Sequence, residues 1–170
     1  MCIPARFARF LAMLFALAAL WPVSAWARES LGIYETWGAF RDPVVPRCYA
    51  VAMAEPSRMQ RDYQPFATIG NWPRRNLRNQ VHFRLSRQLA PRASVSLRIG
   101  DQRFTLTGGG GDAWAADPRD NAAIVAAMRS ASRMVVQARD AKGRNFTNTW
   151  PLAGAASAMD AAAIGCSRLN

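Results

Sequence analysis

Histidine occurs once in this 170-residue chain, at His82, and lysine once, at Lys142. A Ser-His-Asp arrangement would have to use His82, and no Gly-x-Ser-x-Gly elbow accompanies it, so hydrolytic chemistry finds little support. Cysteine is nearly as scarce, at Cys2, Cys48 and Cys166, with no Cys-x-x-Cys pair. That spacing, with no added histidines, argues against a redox dithiol or a metal centre. The run Gly108 to Gly111 is not followed by Gly-Lys-Ser or Gly-Lys-Thr, so it reads as a flexible connection and not as a phosphate loop. No cofactor is implied.

Long apolar runs are missing too. Phe10 to Leu20, FLAMLFALAAL, covers 11 residues, well short of the about 20 that cross a bilayer. Arg6 and Arg9 precede this run. Trp21-Pro22 breaks it, and Val23-Ser24-Ala25-Trp26-Ala27 offers small residues where a signal peptidase cuts. The pattern predicts a cleaved signal peptide over 1–27 and a mature chain over 28–170 that is periplasmic or secreted and not an integral membrane protein. An uncleaved membrane anchor is the competing reading, disfavoured by the short apolar stretch. The mature length suits a single domain with a real core.

Basic residues number 22 against 11 acids. Losing Arg6 and Arg9 leaves 20 against 11, a net charge of about +9, carried by arginine except at Lys142. Such a charge attracts anionic headgroups, acidic polysaccharides or nucleic acid, although none of this composition points to a specific nucleic acid. An arginine-rich composition with no ligand in view accounts for the same number. Outside the leader, Cys48 and Cys166 remain, and in an oxidising compartment a disulfide between them is the default.

Strand signals dominate the mature chain. Leu31 to Phe40 reads as a first strand and Cys48 to Met53 as a second, with a polar surface loop over Arg58 to Gln64. Val81, Phe83 and Leu85 alternate with His82, Arg84 and Ser86, the period-2 pattern of a half-buried strand. Ala93 to Ile99 and Phe104 to Thr107 flank Gly100-Asp101 as a hairpin, and Arg133 to Arg139 with Asn145 to Trp150 form another. Asp117-Pro118 before alanine-rich sequence predicts a helix of about ten residues, with Ile124, Val125 and Met128 on one face. Ser157 to Ile164, with Asp160 at capping-box spacing and Gly165 as a stop, predicts a second. Short strands with small helices indicate a mainly β sandwich or open barrel.

The segment from Gly70 to Gln80 concentrates basic and aromatic residues: Trp72, Arg74, Arg75 and Arg78. Guanidinium groups pair with phosphates and carboxylates and an indole can stack, but the favoured reading is that Trp72-Pro73 anchors a loop with its arginines solvated. The strand phases place Arg84, Arg98, Arg103, Arg133 and Arg139 away from the apolar side, and with the Gly70–Gln80 arginines they form a candidate basic surface. Asp112 and Asp117 flank Trp114. Turn and cap roles account for both more simply than a glycosidase pair.

Three stretches resemble the invasion-associated locus B family of bacterial exported proteins: WGAFRDPVVPRCYA (Trp37 to Ala50), HFRLSRQLAPRASVSLRIGDQRFTL (His82 to Leu106) and VVQARDAKGRNFTNTWPLAGAASAMDAAAIGC (Val135 to Cys166). Leu152-Ala153-Gly154 matches the family's closing Leu-x-Gly before a small-residue helix. The additional paired cysteines expected around the middle loop are absent here. The resemblance implies an exported antiparallel β-sandwich of immunoglobulin-like type, with one or two short helices here, and a family name tied to host-cell entry; it brings no catalytic residues. The expectation is therefore a non-enzymatic envelope protein that binds an unknown protein or an anionic envelope component, a lipid headgroup or polysaccharide, through an arginine-rich face. A hydrolase acting on an envelope polymer and a structural, chaperone-like assembly module are the alternatives.

Overall fold

The computed structural model describes residues 28–167. The expected leader, 1–27, lies outside the described residues. Ten strands are present: β1 (Glu29–Tyr34), β2 (Trp37–Asp42), β3 (Arg47–Met53), β4 (Phe66–Trp72), β5 (Leu77–Arg84), β6 (Val95–Ile99), β7 (Gln102–Gly109), β8 (Asp112–Ala115), β9 (Arg133–Arg139) and β10 (Asn145–Pro151). Helix α1 (Pro118–Met128) precedes β9, and α2 (Ala155–Cys166) follows β10. Hydrogen bonds join the strands in one antiparallel series, β1-β2-β3-β4-β5-β8-β7-β6-β9-β10. The fold is mainly β with two short helices. This pairing does not by itself divide the strands into the two sheets of an immunoglobulin-like sandwich.

The alternation behind the two hairpins carries through to the pairing. Leu97 lies opposite Phe104 and Arg98 opposite Arg103 across the Gly100-Asp101 turn, and β9 pairs β10 over its full length. Inward positions of β5, β6 and β9, among them Val81, Phe83, Leu97, Ile99, Met134 and Val136, are almost solvent-free. Helix α1 begins as its sequence dictates: the Asp117 carboxylate accepts from the Asp120 N–H at 2.8 Å, and Ile124, Val125, Ala127 and Met128 are buried.

Four local expectations need correction. Leu31 to Phe40 is two strands, because the chain reverses at Glu35, which has a positive φ, and Tyr34 pairs with Trp37. Gly108 to Gly111 is no flexible connection: Gly108 and Gly109 belong to β7, and the turn is held by the Leu85 and Leu89 N–H groups donating to the Gly111 and Gly110 carbonyls at 2.8 and 2.6 Å. Gly70 to Gln80 is no long loop: Gly70 to Trp72 end β4 and Leu77 to Gln80 begin β5, paired with each other and joined by a short 3-10 turn (Pro73–Arg75). Helix α2 starts two residues before Ser157, without a capping-box hydrogen bond, and passes through Gly165. Its start is set by Gly154, at φ 84°, where any Cβ would lie 2.0 Å from the Tyr34 carbonyl oxygen; no side chain fits there.

Helix α2 packs on β1 to β4 and buries Ala155, Ala158, Met159 and Ala162. Its last residue, Cys166, is joined to Cys48 of β3 by the expected disulfide, across 118 residues. Reducing this bond, or replacing Cys48 and Cys166 with serine, is expected to lower unfolding free energy by about 2–5 kcal/mol, read from denaturant midpoints with and without reductant.

A buried polar cluster went unread in the sequence. Asp140 at the β9–β10 turn accepts from the Lys142 and Arg144 backbone N–H groups at 3.0 and 2.9 Å, and its second oxygen takes Arg144 Nε at 2.9 Å and Arg87 at 3.0 Å. Both Arg87 and Asp140 are buried. Burial pushes the Asp140 carboxyl up, but the hydrogen bonds from Arg144 and Lys142, with the Arg144 charge, outweigh it and hold the pKa at about 2 instead of 3.8. Because the folded value is depressed, this stabilisation is complete above the unfolded value and fades as pH falls toward about 2. An acid titration of thermal stability is expected to show Asp140→Asn losing much of the decline that the unsubstituted protein undergoes between about pH 4 and pH 2.

Candidate functional site

With one side of the sheet committed to the core, function falls to the other side. Register assigns that side strand by strand. On β6, β7 and β9 it presents Ser96 and Arg98, then Arg103 and Thr105, then Arg133, Gln137 and Arg139. Four of the predicted arginines therefore share one exposed region, where Arg98 stands directly opposite Arg103. Strands β6, β7, β9 and β10 contain no aspartate or glutamate. Among the described residues, Arg98, Arg103 and Arg133 make no ion pair, and Arg139 Nε donates only to Asn145 at 3.3 Å. Like charges placed directly across a strand pair repel, so the arrangement carries a cost with no internal counter-charge.

The remaining predicted residues go elsewhere. Arg74 and Arg75 ride the 3-10 turn and Arg78 the start of β5, all exposed. Arg84 is not a free cation: it pairs with Asp112 and lies 3.8 Å over the Tyr63 ring. Asp112 is thus an ion-pair partner, while Asp117 has the cap role read from sequence. Trp72 leaves the arginine cluster altogether and lines a cleft of about 700 Å³ on the outward side of β2 to β5 and β8.

That cleft is the feature sequence reasoning missed. Phe40, Tyr49, Val51, Met53, Phe66 and Trp114 line it, with Arg28 and Arg47 at one end and Thr68, Gln80 and His82 along it. Two glycines make room for flat rings. A Cβ on Gly70 would stand 2.3 Å from the Trp72 indole, and one on Gly38 would stand 2.7 Å from the Phe40 ring, so each aromatic lies down over a bare backbone position. Phe40 stacks on Tyr49 with centroids 5.8 Å apart, and His82 lies 5.2 Å from Trp114. The available signal was the second apolar set on β3: Cys48, Ala50 and Ala52 face the core, yet Tyr49, Val51 and Met53 alternate with them.

Polar contacts at the cleft edge are specific. His82 Nε2 donates to Asp112 Oδ1 at 3.0 Å, which leaves Nδ1 facing the Thr68 hydroxyl at 3.4 Å. Thr68 sits mid-strand between β3 and β5, its backbone taken up by the ladder, so no spare N–H adjoins its hydroxyl to stabilise an oxyanion. Among the described residues no group of His, Cys, Asp and Glu is arranged to hold a metal ion. No described helix is long and apolar enough to cross a membrane. Comparison with known protein families, with characterised proteins and with solved structures finds no match to this chain.

Proposed function

We propose that this is an exported, non-enzymatic envelope protein that binds an anionic envelope component, an acidic polysaccharide or a lipid headgroup, through the outward side of β6, β7 and β9. One observation carries the reading: Arg98 faces Arg103 on strands without any acid and neither is ion-paired, so a negatively charged partner would relieve a repulsion that only solvent and the exposed turn residue Asp101 temper. Ser96, Thr105 and Gln137 lie beside them as neutral hydrogen-bonding groups suited to hydroxyl or phosphate oxygens. The signal-peptide pattern read in the sequence of 1–27 and the resemblance to an exported family support placement outside the cytoplasm. There such polymers are abundant.

The test is retention of the purified protein on immobilised heparin and on vesicles rich in anionic lipid, across a salt series. Retention at low ionic strength with release as salt rises is expected, because exposed charge contacts are screened beyond about 8 Å at physiological salt. The Arg98→Gln, Arg103→Gln, Arg133→Gln variant is expected to elute at lower salt with unchanged or slightly raised stability. Absence of retention at low salt, or equal elution of the variant, overturns the reading.

A second reading, hydrolysis of an envelope polymer, has the His82–Asp112 contact in its favour. It requires turnover that His82→Ala and Asp112→Ala both abolish while anionic retention persists; turnover unaffected by either substitution removes it.

A further inference from the structure

The aromatic cleft on β2 to β5 and β8 is separate in chemistry from the arginine surface, although the two adjoin where Trp114 pairs with Thr107. Outward positions of an antiparallel sheet facing water are ordinarily polar, and a strand apolar on both sides is ordinarily covered on both. Strand β3 is apolar on both sides. Helix α2 covers the inward side, whereas no described helix packs on the outward one: Tyr49, with Arg47 5.0 Å over its ring and Phe40 stacked beside it, and Val51 are only half-buried by neighbouring side chains, and Met53 is exposed. Met53 and Trp114 remain 47% and 37% exposed, in a concavity of about 700 Å³, a size typical of small-molecule sites.

The geometry narrows the occupant. An extended peptide recognised by strand addition needs a free backbone edge, and β3 and β4 are hydrogen-bonded on both flanks, so the cleft offers side chains only. Its charge is one-sided. Arg28 and Arg47 share a single carboxylate, Asp42, at 3.8 and 3.5 Å, which leaves one positive charge in excess at that end. Arg47 Nε is closed off from solvent and donates to nothing. From Arg47 the apolar floor runs the length of β3 to Met53, six residues or about 20 Å at about 3.3 Å each.

We propose that this cleft binds a single-chain anionic amphiphile, an unbranched alkyl chain carrying a carboxylate or phosphate head. The chain lies along Tyr49, Val51, Met53 and Phe66 over the flat rings of Phe40 and Trp72, and the head meets Arg28 and Arg47. Burial of the chain supplies the affinity and the guanidinium pair sets its direction.

Titration of the purified protein with dodecanoate and with dodecyl phosphate tests this, following the fluorescence of Trp72 and Trp114 together with the heat of binding. Both probes share the chain and differ in head, so their ranking tells a fatty acid from a phospholipid-type source. Saturable one-to-one binding is expected for both, none for acetate, and about tenfold weaker binding for dodecyl maltoside, the loss of one charge-assisted contact. Arg47→Gln and, separately, Arg28→Gln are expected to bring the anionic probes down toward the maltoside value without altering the maltoside itself. Val51→Trp, which fills the floor at a half-buried position, is expected to abolish binding of all three. Equal affinity for charged and uncharged amphiphiles, no saturation below micelle formation, or a sedimentation dimer that excludes every probe overturns the proposal. None of these outcomes depends on the heparin result.

Discussion

Phe83 of β5 packs on Trp150 of β10 with ring centroids 5.4 Å apart, although four other strands lie between β5 and β10 in the hydrogen-bonded series. Trp37 of β2 makes the same connection through its indole, donating to the Pro151 carbonyl at 2.9 Å across 114 residues. These contacts bring the two halves of one continuous sheet together around a shared core, and Trp37, Phe83 and Trp150 are fully buried there. Once that core exists, every strand has an assigned inward side. The outward side is what remains for binding.

The outward side divides in two along β8. On the β6–β7–β9 half, hydroxyls, amides and arginines stand on strands without acids, and these arginines make no ion pair among the described residues. On the β2–β5 half, apolar and aromatic side chains line a concavity, and Gly38 and Gly70 let rings lie against the backbone. Between them His82, Asp112 and Arg84 form a compact polar junction. The two proposed ligands, an anionic polymer and an anionic amphiphile, would be held by different physics: screened charge contacts in one case, removal of apolar surface from water in the other.

Two devices hold the framework that presents both surfaces. The Cys48–Cys166 bond fastens the end of α2 under β3, directly behind the cleft floor. The Asp140 cluster closes the β9–β10 turn and ties it to the chain after β5 through Arg87. An isolated arginine buried this deeply would be costly; paired with Asp140, whose oxygens are themselves filled by the turn, it locks the loop geometry.

Much of the framework was legible in local sequence. The alternations around Val81 to Leu85, Leu97, Phe104 and Val136 define strands because period-2 burial leaves a mark wherever one face is wet. Asp117-Pro118 marks α1 because capping is a short-range interaction, and the two cysteines outside the expected leader define one pairing. Signals failed where backbone approach or distant partners decide. Gly154 reads as a motif residue in sequence, but only the Tyr34 carbonyl 2.0 Å from its missing Cβ explains why α2 begins there. The four glycines at 108–111 read as slack, and the Leu85 and Leu89 amides make them a tight turn.

For function the division is the same. Sequence by itself determined the excess of arginine over acid and that Arg98, Arg103, Arg133 and Arg139 face outward, because charge count and strand phase are local properties. Only the tertiary structure decided that Arg84 is paired with Asp112, that Trp72 belongs to a cleft and not to the arginine cluster, and that no described helix packs on the second apolar side of β3. Those facts depend on which strands become neighbours. Strand order in a sheet is set by long-range packing and not by any pattern within a strand.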